Sequence, residues 1–261
     1  MIKLIATDID GTLVQDGGNT INPEIYDVIL KLRKKGIQFA AASGRQWASI
    51  EALFEPVKEK IFYLSDNGAY VGCHGRNLFL NPIDRQVIMD FVRAVRERPE
   101  LEVMVSGPDV VYVDTKNREF EDWMVNGYKF RIQHVEDLLQ VEDDFIKISA
   151  YKKQGVQAAT EDLRAMFGDR LKMTISGDMW MDCMADGVSK GQAVQVLQES
   201  LDIKPEETMA FGDQLNDMEM LGKAYYSFAV GNARPEVKAA ARFRADTNVN
   251  NGVLKILKEL L

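Results

Sequence analysis

Two carboxylates stand two residues apart in the run Ile5-Ala6-Thr7-Asp8-Ile9-Asp10-Gly11-Thr12-Leu13, where an apolar stretch meets a glycine turn. Residues 2–6 are too apolar for a half-exposed strand and read as a short buried one. Asp8 and Asp10 therefore fall at its carboxyl end, the edge at which open α/β sheets bind ligands. A carboxylate there can serve as a nucleophile. Like charges this close repel unless a cation or a shared proton compensates them, so the pair implies a metal or a raised pKa. Asp-x-Asp-Gly also occurs in plain turns and in calcium loops, and the two residues alone leave those readings open.

Three further groups follow in the chain. Ala42-Ser43-Gly44-Arg45 comes after the apolar run 37–41, Gly187-Val188-Ser189-Lys190-Gly191 opens a helix, and Phe211-Gly212-Asp213-Gln214-Leu215-Asn216-Asp217 closes a third apolar segment. On residue types alone, Ser43 is a helix cap and Asp213 an N-cap after Gly212. Lys190 is then an exposed first-turn lysine, the wrong sign for a helix N-terminus unless an anion sits there. Taken in order, the four groups resemble the motifs of the haloacid dehalogenase superfamily of phosphotransferases. Gly212-Asp213-x-x-Asn216-Asp217 resembles the Cof-type phosphatases of subfamily IIB, and the likeness covers essentially the whole chain.

That resemblance implies a magnesium-dependent phosphatase that hydrolyses small phosphorylated metabolites, sugar phosphates or similar phosphomonoesters, through an aspartyl-phosphate intermediate. Asp8 is then the nucleophile, and Asp10 the group that protonates the leaving oxygen and later takes a proton from water. Asp8 and Asp213 ligate Mg2+ directly, Asp10 adds its backbone carbonyl, and Asp217 acts mainly through a metal-bound water. Ser43 and Lys190 hold the transferring phosphoryl group, with Lys190 also screening Asp8 from Asp213; backbone amides at Ile9 and Gly44 add donors, and Asn216 is a further phosphate ligand. Arg45, Asn67, Tyr112, Trp180 with Met181, and Asp182 are candidates for reading the rest of the substrate, although an aromatic-methionine pair on a strand is more often core. Nothing chooses among hexose phosphates, pyridoxal phosphate, flavin mononucleotide and polyol phosphates. A sugar phosphomutase of the same superfamily is the alternative reading, and a non-catalytic phospholigand sensor on a retained scaffold is a third.

Composition excludes other classes. The 261 residues are 46% hydrophobic and 28% charged, as in an ordinary globular protein. The formal charge of −8 argues against a nucleic-acid partner, because such proteins gather Lys and Arg on one face. The densest basic run, Lys31, Arg33, Lys34 and Lys35, ends a helix before Gly36 and suits its dipole. Cys73 and Cys183 have no metal-ligand spacing. His74 and His134 lie far apart without partner motifs and read as surface histidines. No apolar run approaches the ~20 residues of a membrane span, and Asp8 interrupts any signal-peptide core, so a cytoplasmic protein without membrane contact is expected. The oligomeric state is left open.

The elements that must position these residues follow from periodicity. Up to about residue 64, short apolar strands alternate with amphipathic helices, as in 23–34 with Ile25, Val28, Ile29 and Leu32, a βαβ signature that predicts a parallel sheet. Residues 69–71 and 78–80 read as a hairpin around 72–76, with His74 in its turn. From Pro82 the pattern changes: a helix over 84–96, strands over 101–105 and 110–113, a strand over 145–151, a helix over 156–167, and a hairpin of 171–175 and 180–184. The alternation returns with a helix over 189–201, a strand over 208–211, a helix over 215–221, a strand over 225–230, and helices over 235–241 and 253–260. The expected fold is α/β: a doubly wound, Rossmann-like core of residues 1–81 and 187–261, with an α+β module inserted at 82–186. In the resembled family this insert is the cap that sets substrate specificity.

Overall fold

The computed structural model describes every residue except 16, 17, 19, 74, 75, 128, 129, 177 and 178. In chain order, β1 (Leu4–Asp8), α1 (Glu24–Lys34), β2 (Gln38–Ala42), α2 (Trp47–Leu53), β3 (Phe62–Ser65), β4 (Tyr70–Cys73) and β5 (Arg76–Leu80) come first. Then come α3 (Arg85–Arg96), β6 (Glu102–Ser106), β7 (Val111–Val113), α4 (Arg118–Asn126), β8 (Ile132–His134), β9 (Lys147–Tyr151), α5 (Gln157–Phe167), β10 (Lys172–Ser176) and β11 (Trp180–Met184). The chain ends with α6 (Lys190–Leu201), β12 (Thr208–Gly212), α7 (Met218–Gly222), β13 (Tyr226–Ala229), α8 (Pro235–Ala240), β14 (Phe243–Arg244) and α9 (Gly252–Lys258). These elements form two compact units, residues 1–79 with 189–261 and residues 80–188.

The first unit is built on an eight-stranded sheet of order β14-β13-β12-β1-β2-β3-β4-β5. Strands β1, β2 and β12 are short and apolar, with every residue buried but the first of β2, as expected of strands covered on both faces. The chain runs outward from β1 through β2 and β3, all parallel, and after the insert resumes on the other side of β1 with β12, β13 and β14, also parallel. Its order thus reverses between β1 and β12, and a crevice forms at the carboxyl ends of those strands. After these parallel strands β4 turns back antiparallel to β3, where a hairpin was expected over residues 69–80. α1 buries Ile25, Val28, Ile29 and Leu32, the stripe read from the sequence.

The second unit carries a six-stranded sheet of order β10-β11-β9-β6-β7-β8, antiparallel except for β7 with β8. Alternate residues Val103, Val105, Ile148, Ala150, Met181 and Cys183 pack with Ile88, Phe91, Val92 and Val95 of α3 and Leu163 and Phe167 of α5. Met104, Val111, Val113 and Trp180, of the opposite parity, pack with Phe120 and Met124 of α4. Helix α4 and strand β8 were absent from the sequence reading. Only Phe120 and Met124 of α4 are buried, and β8 is a three-residue edge strand without a buried residue. His134 is exposed beside Glu121, and His74 lies outside the described residues. Among the described residues, no helix is long and apolar enough to cross a membrane.

Phe91 is fully buried and meets Phe167 edge to face with ring centroids 5.2 Å apart, joining α3 to α5 over the sheet. Phe91→Ala is therefore expected to lower the unfolding free energy by about 3–5 kcal/mol in urea titration followed by circular dichroism; a loss below about 1 kcal/mol would show that the ring does not carry this packing.

Candidate active site

The carboxyl ends of β1 and β12 bring Asp8 and Asp213 together, because the two strands are paired in register from Leu4 with Thr208 to Thr7 with Phe211. Asp217 joins them at the end of the 3-10 turn that follows β12. One carboxylate oxygen from each of the three lies within 4.8 Å of the others, and all three residues are buried. Lys190, the first residue of α6, is 1% exposed; its ammonium donates to Asp8 Oδ1 at 2.5 Å and to Asp217 Oδ1 at 2.7 Å. The lysine is thus not the exposed first-turn residue that its position suggested. Its hydrogen bonds go to Asp8 and Asp217, a partner that the sequence did not single out for it.

Asp213 is oriented by neighbours that the motif reading did not single out. Thr12 Oγ1 donates to its Oδ1 at 2.7 Å and Gln214 Nε2 to its Oδ2 at 3.2 Å. Asp217 Oδ2 accepts the backbone N–H groups of Asp213 and Gln214, both at 2.9 Å, which fixes the turn that presents Asp213. Two glycines make these approaches possible. Gly11 has φ +82°, and a Cβ there would stand 2.3 Å from Asp213 Oδ2; Gly191 lets α6 close on α7, where a Cβ would stand 2.6 Å from the Glu219 carbonyl carbon. Asn232 Nδ2 donates to the Gly11 carbonyl at 2.7 Å and holds the β1 turn from a third segment.

The electrostatics are lopsided. Three buried carboxylates face one buried ammonium, which leaves two negative charges without a partner in this cluster. Burial, then repulsion from Asp217, pushes the Asp8 carboxyl well above the usual range even against the attraction of Lys190. Asp213 is pushed up to about 6, mainly by burial. Burial pulls the Lys190 ammonium down, but Asp217 and Asp8 outweigh it and the net shift is upward. Asp8 Oδ2 is buried with no hydrogen-bond partner among the described residues. Hard oxygen donors, uncompensated negative charge and an orphaned carboxylate oxygen fit a divalent cation, so Asp8, Asp213 and Asp217 could hold one.

The remaining predicted residues fall around this cluster or in the other unit. Asp10 is not in the buried set; its half-exposed carboxylate is gripped by Arg45, Nε to Oδ2 at 2.8 Å and Nη2 to Oδ1 at 2.5 Å. Ser43 precedes helix α2 and does not cap it; its hydroxyl accepts the Arg45 N–H at 3.1 Å and donates to Asp10 Oδ2 at 3.4 Å. Ile9 lies buried in the turn after β1, its carbonyl accepting from Leu13 and Val14. A Cβ on Gly44 would stand 3.2 Å from the amide nitrogen of Asn67, and Asn67 Oδ1 accepts from Asn216 Nδ2 at 3.0 Å. Tyr112, Trp180 and Asp182 belong to the 80–188 unit. Tyr112 donates to Asp143, Trp180 packs against Tyr151 with centroids 4.9 Å apart, and Asp182 accepts from Ser149 at 2.6 Å.

Comparison with known proteins gives this arrangement a family. A family model described as haloacid dehalogenase-like hydrolase matches residues 5–257. The chain is 29% identical over 261 residues to the 5-amino-6-(5-phospho-D-ribitylamino)uracil phosphatase YbjI of Escherichia coli (strain K12), covering 100% of this chain and 96% of that protein. It is 27% identical to YcsE of Bacillus subtilis (strain 168), which bears the same enzyme name, over 98% of this chain and 95% of the other. A crystal structure of a Eubacterium rectale protein, 37% identical, matches with a TM-score of 0.93 over 100% of this chain and 99% of that one. Since the family match runs from β1 into α9 and takes in every member of the buried cluster, the chain belongs to the haloacid dehalogenase-like hydrolases and is a phosphoric monoester hydrolase.

Proposed function

We propose that the protein hydrolyses small phosphomonoesters with a bound Mg2+ ion, and that Asp8 becomes transiently phosphorylated. The observation that carries this reading is the buried Asp8 carboxylate, held through Oδ1 by Lys190 while Oδ2 has no partner among the described residues. A phosphate monoester resists attack because an anion must approach an anion and an alkoxide must leave, so the site has to neutralise charge, place a nucleophile and supply a proton. Asp8 attacks phosphorus, the bond from phosphorus to the ester oxygen breaks, and that oxygen takes a proton from Asp10. Water then attacks the aspartyl-phosphate, gives a proton to Asp10 and returns Asp8 to its carboxylate. Lys190, Ser43, Asn216 and the backbone amides of Ile9 and Gly44 hold the phosphoryl oxygens.

Asp8 and Asp213 would be the direct ligands, with a contribution from the Asp10 carbonyl. Asp217, whose two oxygens already accept from Lys190 and from two backbone amides, braces the set and would support the ion indirectly. Magnesium suits all-oxygen donors and partial protein coordination, and when bound it supplies the charge neutralisation that the transferring phosphoryl group needs. We assign substrate choice to the inserted unit. The relatives named as 5-amino-6-(5-phospho-D-ribitylamino)uracil phosphatases make a phosphorylated polyol the first substrate to test.

Two outcomes test this reading. Asp8→Asn keeps the shape of the side chain but removes the nucleophile, so turnover of any phosphomonoester falls at least ~100-fold while the circular dichroism spectrum is retained; survival of more than a few per cent of activity removes Asp8 from the role. The second concerns pH. Raised pKa values mean that the metal-free folded protein holds protons which the unfolded chain releases at lower pH, so its stability falls as pH rises from about 4 through about 6. A cation removes that loss. The rise in Tm on adding Mg2+ should therefore be small near about pH 4.5 and grow as pH rises through about 6, measured by differential scanning fluorimetry with chelator-treated protein. A shift independent of pH would contradict the metal site.

A further inference from the structure

Arg45 was expected to read substrate, yet its guanidinium is committed elsewhere. Nε and Nη2 take the two oxygens of Asp10 separately, at 2.8 and 2.5 Å, a two-point fork that fixes the plane of the carboxylate as well as its position. Nη2 also donates to the Gly18 carbonyl at 2.7 Å. The Arg45 backbone N–H rests on Ser43 Oγ, which in turn touches Asp10. Asp10 stands two residues beyond the end of β1 and Arg45 three beyond the end of β2, adjacent parallel strands in which Asp8 is paired with Ala42. The fork is thus anchored at both ends by the sheet, and the Arg45 side chain is only 13% exposed.

A fork of this kind fixes both carboxyl oxygens of Asp10, and with them the direction in which the group can meet a water. We propose that Arg45 is a positioning residue for the second half-reaction, aiming the Asp10 carboxylate at the water that cleaves the aspartyl-phosphate. In that step the water oxygen bonds to phosphorus, the bond from phosphorus to Asp8 breaks with its electron pair returning to Asp8, and the water proton passes to Asp10. The protonated Asp10 then serves the next ester, so each turnover consumes one water and moves one proton from it to a leaving group. This inference rests on the acid–base role proposed above for Asp10.

The test uses Arg45→Gln, Arg45→Lys, Asp10→Asn and the Asp10→Asn/Arg45→Gln double variant with nitrophenyl phosphate, whose leaving group departs without a proton. In Arg45→Gln the first-turnover release of nitrophenolate stays within about threefold of wild type while the steady-state rate falls about 10- to 100-fold, so a burst grows in. Arg45→Lys keeps the charge without the fork and behaves like Arg45→Gln. The double variant is no slower than Asp10→Asn, because Arg45 acts only through Asp10. A parallel fall of burst and steady state with a raised KM, full activity of Arg45→Lys, or further loss in the double variant would overturn the proposal by making Arg45 a substrate contact or a mere charge. If Asp10→Asn itself leaves the steady state unchanged, the acid–base reading fails, whereas a silent Arg45→Gln beside an impaired Asp10→Asn overturns only the role of Arg45.

Discussion

Burying three carboxylates against a single ammonium is the constraint on which the rest of the first unit depends. Left alone, Asp8, Asp213 and Asp217 would repel one another in a medium that screens poorly, and each would tend to be neutralised by protonation. Lys190 offsets part of this by bridging Asp8 and Asp217. A buried ion pair of this kind does little for stability relative to an apolar core, and losing one partner costs about 3–5 kcal/mol because the other charge is stranded. Its value is positional. Its excess of negative charge favours a cation, and a cation held there would offset the charge that a phosphoryl group brings.

The architecture supplies this cluster from several distant segments. Strand order reverses between β1 and β12, so two carboxyl ends open side by side, one ending in Asp8 and the other leading into Asp213. The insert separates β5 from α6 in sequence, yet α6 returns to the same unit and delivers Lys190. Backbone contacts finish the placement: Gly11 turns in a left-handed conformation against Asp213, and Gly191 lets α6 touch α7 closely enough for Lys190 to reach Asp217. Asp10 and Arg45 form a second pair outside the buried set, with Arg45 largely covered and the Asp10 carboxylate partly exposed.

Much of this was legible in the sequence because strong signals agreed. The apolar run into Asp8, the stripe of α1 and the opening of a helix at Gly187–Gly191 are local features, and the four motifs in order carried the family. What escaped was set by tertiary contact. The burial of Lys190, its hydrogen bond to Asp217, the hold of Thr12 on Asp213 and the grip of Arg45 on Asp10 each join residues from segments far apart in the chain or from different turns, and no local periodicity encodes them. Helix α4 escaped because its exposed face is wide and only two of its side chains are buried. The hairpin over residues 69–80 was legible, but that its first strand pairs antiparallel with β3 is again a tertiary contact.

The central claim is that Asp8 carries the phosphoryl group between ester and water. The most direct measurement is mass spectrometry of protein acid-quenched within the first turnovers on a phosphomonoester in the presence of Mg2+, followed by peptide mapping. The account predicts one phosphoryl group per chain on the peptide that contains Asp8, lost on treatment with hydroxylamine as an acyl phosphate is. A stable label on another residue, or release of orthophosphate at full rate with no labelled protein at any quench time, would contradict it.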